Sequence, residues 1–244
     1  MRTAVTLALG TAIGLSLAGT AMAESRTFEL TDFDKVDIAT GLDAVVTQGD
    51  SFSVIATSGS SQALENLQLD VTGGVLTARL DQSFLDFILS GGLVGMLLSS
   101  GNAVTIDITL PALSGIEASS GADVRARGVT TDQLSLNASS GANIELAEAT
   151  LGTVQLESSS GADIDISGTA ESVEAEASSG ADIDAEKLVA ASATAKASSG
   201  AGISVHATGA IRAEASSGGD VDVYGNPRAR DVDASSGGDV NFDD

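Results

Sequence analysis

The chain has 244 residues, 34 acidic against 11 basic, with a single histidine and no cysteine. So negative a surface repels nucleic acid and anionic lipid headgroups, and 3% aromatics with no tryptophan leave nothing for a base-stacking platform. One histidine rules out a His-rich metal site, and without disulfides the fold depends on backbone ladders and packing.

The first segment is predicted to be a secretory signal peptide, residues 1–23. Arg2 supplies the basic start, Ala4 to Ala18 the apolar stretch, and Ala21-Met22-Ala23 a small-x-small cleavage site. A retained anchor is the alternative, but the run is short for a spanning helix. The expectation is an exported protein of the periplasm, outer surface or extracellular space. Taking Arg2 from the basic residues leaves 10 against 34 acidic ones in the mature chain.

Residues 24–244 are read as one domain, with irregular early turns over 27–112 and regular ones over 113–244. Val36 and Ile38, Ala44 and Val46, and Phe52, Val54 and Ala56 alternate as strands. Ser60 to Leu67 fits a helical turn or two. Leu76, Ala78 and Leu80 alternate after Gly73-Gly74, and Val104, Ile106, Ile108 and Leu110 run into Pro111.

Residues 84–98 break the pattern with an apolar run that includes Phe84, Phe87, Ile88, Leu93, Met96 and Leu97. It is too short to span a bilayer. Three readings stand: a flap or short helix over the coil, a homo-oligomer interface, or a membrane-surface contact.

From Ser119 onward, Ser-Ser-Gly recurs seven times. Its glycines are Gly121, Gly141, Gly161, Gly180, Gly200, Gly218 and Gly237, an almost even series. Within each unit apolar and polar residues alternate. Val154, Leu156, Ala162, Ile164 and Ile166 fall in one set, and Gln155, Glu157, Asp163 and Asp165 in the other. Period two means strands with one buried face, and one unit cannot bury that face alone. Stacked units can, which predicts an all-β solenoid, a parallel β-helix of about 19–20 residues per turn, with seven regular turns. The recurrent glycine suits a corner with φ > 0. The second serine of each corner falls in the inward register, where stacked hydroxyls would satisfy one another.

The run VTIDITLPALSGIEASSGADV at 104–124, the repeated Ser-Gly-x-Asp turns and VVTQGD at 45–50 resemble the autotransporter adhesin head GIN domain family over roughly residues 30–243. The resemblance implies a right-handed β-helix in an exported, adhesin-like bacterial protein with no established catalytic residues. Here Ser-Ser-Gly-Ala or Ser-Ser-Gly-Gly replaces the family's commoner Gly-Ser-Gly-Asp turn.

The chemistry on offer is an acidic ladder. Asp123, Asp163, Asp182, Asp220 and Asp239 share one offset from the corner, and Asp165, Asp184 and Asp222 lie two residues on. Stacked carboxylates make Asp163, Asp165, Asp182, Asp184, Asp220 and Asp222 candidate Ca²⁺ ligands, although a solvated acidic face that keeps the repeat soluble is the favoured reading. His206 reads as a surface residue. Tyr224 is a sugar-contact aromatic or a half-buried strand end. The basic residues Arg125, Arg127, Lys187, Lys196, Arg212, Arg228 and Arg230 are scattered, against a lyase-like site. No cofactor is expected beyond the possible Ca²⁺. The expected role is a non-catalytic, adhesin-like binding module for an envelope or surface ligand, carbohydrate or protein. A structural envelope protein that oligomerises through 84–98, or a Ca²⁺-stabilised roll, is the alternative.

Overall fold

The computed structural model describes residues 23–81 and 103–243. The expected signal peptide, apart from Ala23, and the apolar run at 84–98 lie outside the described residues.

The described chain is a β-solenoid whose strands join in one 17-stranded sheet. Its regular part begins with β8 (Gly115–Ser119) and β9 (Asp123–Arg127). It continues through β10 (Thr130–Ser139), β11 (Asn143–Ser159), β12 (Asp163–Ser178), β13 (Asp182–Ser198) and β14 (Gly202–Ser216). The last turn is β15 (Asp220–Tyr224), β16 (Ala229–Ala234) and β17 (Asp239–Asp243). All these strands pair in parallel with their copies in the adjoining turn. The seven Ser-Gly corners bound about six circuits.

Strands of 15 to 17 residues exceed the usual length because each bends round the coil without breaking. The ladder slips at that bend, between Leu146 and Ala149 and between Asp165 and Gly168. There Gly168 has φ 134°, and an added Cβ would run into the Ala149 backbone, so the turns approach more closely than a side chain allows.

Alternation fills the lumen. One inward column is Ile116, Leu136, Leu156, Ala175, Ala195 and Ala213, and another is Val124, Ile144, Ile164, Ile183, Ile203 and Val221. All are buried. Ser158 stands among alanines in a third column and donates from Oγ to the Ala162 carbonyl at 2.7 Å, which meets the cost of burying a hydroxyl.

The corners differ from the sequence expectation in one respect. Ser120, Ser140, Ser160, Ser179, Ser199, Ser217 and Ser236 have φ between 51° and 58°, and the glycine after each has φ between 69° and 79°. Two successive positive-φ residues are the signature of a type I′ turn. They interrupt the period-two register, so the second serines project into solvent at the corner instead of facing inward. The corner backbone joins the ladder, as in Gly121 N–H to the Ser140 carbonyl and Gly180 N–H to the Ser199 carbonyl, both 3.2 Å.

The early half is part coil, part lid. β2 (Lys35–Ile38) and β3 (Asp43–Gln48) pair in parallel with β8 and β9 and form one more turn. Its corner, Thr40-Gly41, has φ 64° and 65°, and Gly41 N–H donates to the Ser120 carbonyl. The strands β4 (Ser53–Ser58), β5 (Leu67–Thr72), β6 (Val75–Leu80) and β7 (Val104–Leu110) build outward from it. β6 and β7 are parallel to β2 and β3, but β4 on β7 and β5 on β6 are antiparallel, as is β1 (Glu24–Phe28) on β4. These antiparallel strands replace the irregular coil turns that alternation suggested. The short helix α1 (Ser61–Glu65), capped by Ser60 Oγ accepting from Ala63 N–H, links the two walls and buries Ala63 and Leu64. Arg26 binds the Leu64 carbonyl at 3.2 Å, which ties the edge strand to this lid.

The opposite end closes more lightly. Arg230 occupies an inward position in register with Ile211, and its guanidinium lies 4.1 Å from the Phe242 ring centre. It also donates to the Pro227 carbonyl and to Asn226 Oδ1. Val232 stays 45% exposed, although its column neighbours are buried.

Candidate binding surface

With the lumen filled, chemistry is confined to the outer walls. β3, β9 and the strand segments after each Ser-Gly corner form one wall. Its first outward column runs Asp43, Asp123, Asn143, Asp163, Asp182, Gly202, Asp220 and Asp239. The second runs Val45, Arg125, Glu145, Asp165, Asp184, Ser204, Asp222 and Asn241. The Ca²⁺ candidates Asp163, Asp165, Asp182, Asp184, Asp220 and Asp222 therefore stand in two neighbouring files, one residue of each file per turn.

Files do not make a cage. Asp182 Oδ1 accepts from Gly202 N–H at 3.0 Å, Asp184 Oδ1 from Glu186 N–H at 3.0 Å, and Asp222 Oδ1 from Asn241 Nδ2 at 3.0 Å. Among the described residues no group of three or more His, Cys, Asp or Glu side chains converges as a metal site. Crowding has an electrostatic cost instead. Partial burial, then the charges of Asp184, Glu145 and Asp163, raise the Asp165 pKa above the usual carboxylate value. Asp43 is raised likewise, by burial first and Asp123 second.

The second wall comprises β2, β8, β10, the later halves of β11 to β14, and β16. One outward column is Asp37, Glu117, Asn137, Glu157, Glu176, Lys196, Glu214 and Asp233. Most of its charges repeat in sign from turn to turn, and a few contacts tie the file together. Lys196 Nζ meets Glu176 at 2.5 Å, Asn137 donates to Glu157 at 3.0 Å, and Arg212 bridges Glu214 at 2.8 Å and Asp231 at 3.2 Å. A shallow groove of about 450 Å³ runs along this file beside Ser159, Ser178, Ser198 and Ser216. At the bend, Arg127 pairs with Glu148, and Arg125 lies 3.5 Å from Glu145. The scattered basic residues are thus largely ties between turns, each of small energetic worth in solvent.

His206 is half-buried on β14, in register with Tyr224 at the end of β15. Tyr224 is a half-buried strand end. The interface candidates Phe84, Phe87, Ile88, Leu93, Met96 and Leu97 lie outside the described residues. The flanking strands do fix where their segment enters the fold. Ile38 pairs with Ala78 and Asp43 with Thr105, so the segment joins β6 to β7 at the position that Thr40-Gly41 fills in the next turn. Sequence reasoning missed the Thr40-Gly41 corner because Thr replaces the second serine. The available signal was Thr-Gly-Leu-Asp at 40–43, which matches Ser-Gly-Ala-Asp at 120–123 in every role.

Comparison with known proteins agrees with this geometry. Solved structures share the fold. A "putative adhesin" from Bacteroides fragilis superposes with TM-score 0.77 at 20% identity, over 92% of this chain and 98% of its own. A "putative lipid binding protein" from Parabacteroides distasonis gives 0.67 at 17%, over 91% and 97%. A "putative adhesin" from Parabacteroides merdae gives 0.64 at 15%, over 91% and 96%. Nothing matches among curated proteins. The profile of one family matches residues 32–227, and the chain belongs to that family, described as "Putative auto-transporter adhesin, head GIN domain".

Proposed function

We propose that the protein is an exported, non-catalytic adhesin-like module that presents the long outer walls of a right-handed coil to a ligand of the bacterial cell envelope. One observation carries this reading: a lumen closed by aliphatic columns leaves only in-register polar files, repeated turn after turn, to meet a partner. Right-handedness is favoured because parallel crossovers take that hand in nearly all sheets. The spacing of the corner glycines sets a circuit of about 19–20 residues. Export follows from Arg2, the apolar stretch and Ala21-Met22-Ala23, and the destination is the periplasm, outer surface or extracellular space.

The test is capture of envelope fragments from the native cell by immobilised residues 24–244. Saturable capture that survives extensive washing is expected. Its absence, alongside detection of the native protein in the cytoplasmic fraction, overturns the proposal. Homo-oligomerisation through 84–98 is tested separately. The segment enters at a corner, so removing it leaves every described strand pair possible. Light scattering of the deletion variant should show the mass per particle fall to one chain if the segment holds copies together.

A further inference from the structure

One depression on the coil is unlike the others. On the second wall an outward column runs Val75, Lys35, Gly115, Ser135 and Gln155, before Glu174 and Thr194. Two small residues between two long ones leave a notch two strands wide. Gln133 and Thr153 flank it in the neighbouring column, and the resulting groove has a volume of about 430 Å³. That lies within the roughly 300–1,000 Å³ of small-ligand sites.

Its lining also differs. In the groove beside Ser159 and Ser178, Glu157, Glu176, Lys196 and Glu214 already bind one another or a neighbour. In the notch, the side chains of Lys35, Gln133, Ser135 and Gln155 hold no hydrogen bond or ion pair among the described residues, whereas Thr153 accepts from Ser172 and, at the rim, Ser114 donates to the Asp34 carboxylate at 2.8 Å. The lysine stem lies against Gly115, where a Cβ would touch Lys35 Cγ and Cδ at 3.4 Å, so glycine keeps the notch open below the ammonium. On a chain of net charge −23, the lining holds one cation with no ion pair among the described residues and no carboxylate of its own, the nearby Asp34 being engaged by Ser114.

Resting on the binding-module reading above, we infer that this notch is a saccharide subsite for a short glycan carrying one carboxylate sugar. The two amides and two hydroxyls offer donors and acceptors to ring hydroxyls, and the Lys35 ammonium meets the carboxylate. The lining holds no aromatic ring and no exposed apolar side chain, which disfavours a lipid tail or an apolar peptide. A polyanion is disfavoured too. The surrounding acidic files act over a screening length of about 8 Å at physiological salt, so one charge on the ligand is tolerated more readily than several.

The probes are galacturonosyl-galactose, which carries one carboxylate, and the neutral galactobiose of the same linkage, titrated into ¹⁵N-labelled residues 24–244. Shifts should concentrate at the Gln133 and Gln155 side-chain amides and the Gly115 backbone. Lys35→Met should weaken galacturonosyl-galactose by about threefold to fivefold, the worth of one exposed ion pair, and leave galactobiose unchanged. Ser135→Tyr, which fills the notch, should abolish both. Absence of shifts at these amides, or titrations unaltered by Ser135→Tyr, overturns the subsite. Envelope capture run in parallel separates the two claims. Capture by the parent protein without saccharide shifts removes the subsite alone, and saccharide binding without capture removes the envelope reading alone.

Discussion

At the scale of single residues, two glycines do different work. Gly161 has φ 69° with open space around its Cβ position, so only the left-handed backbone requires it. Gly168 combines φ 134° with direct backbone obstruction from Ala149. Gly161→Ala should cost about 1 kcal/mol and Gly168→Ala roughly 3 kcal/mol or more, read as the shift in urea midpoint. Asp165 carries the opposite kind of strain. Its pKa is raised in the folded state, so the native protein binds more protons than the unfolded chain between 3.8 and the folded value. Stability therefore falls as pH rises through that window, and the ionised group is a burden at neutral pH. Asp165→Asn should raise the melting temperature at pH 7, by a few tenths of a kcal/mol in stability, with the gain vanishing below pH 3.8. A gain that persists undiminished at pH 3 would contradict the assignment.

At the scale of elements, the edges decide solubility. β16 is the outermost strand of its wall, and all six of its residues are exposed. Antiparallel pairing of two copies in the central face-matched registers sets an aspartate against an aspartate, because Asp231 and Asp233 are its outward charges. Asp231→Thr with Asp233→Thr keeps strand propensity and removes that repulsion. The double variant should self-associate in sedimentation velocity runs in which the parent remains unaggregated. Legibility from sequence follows the same division. The stack could be read because Leu156, Ile164 and their counterparts repeat at one spacing, and period two has a single structural meaning. The lid could not: β4, β5 and β1 alternate just as β2 does, and nothing in alternation distinguishes antiparallel from parallel partners. The serine corners were misassigned for a related reason, since period two cannot be continued through two left-handed residues. The notch beside Lys35 escaped notice because Gly115 and Ser135 become neighbours only after stacking, and because Lys35 reaches Gly115 only across the whole lid that separates β2 from β8 in sequence.

At the scale of the whole molecule, charge works against the compact state. A net charge of −23 on a rod whose files bring like charges into register is self-repulsive, and the few ion pairs between turns offset little of it. Salt should therefore stabilise. Raising NaCl from about 10 to 150 mM shortens the screening length from roughly 30 to 8 Å, and the melting temperature should climb over that range. A flat or falling profile would mean that the inter-turn pairs outweigh the repulsion. The same ions would weaken any contact that relies on the Lys35 ammonium, so binding and stability should respond to salt in opposite directions.

The corners hold a final consequence. Gly161 and Gly180 top equivalent folds of the chain, and the residues between them meet the same kind of neighbour above and below. Nothing in such a unit refers to its rank in the series, whereas the helical lid and the Arg230 closure each refer to one terminus only. Reach is therefore decoupled from foldedness: a lineage could lengthen or shorten this molecule by whole units, carrying both terminal closures along unchanged, and so set how far its walls extend from wherever they are held.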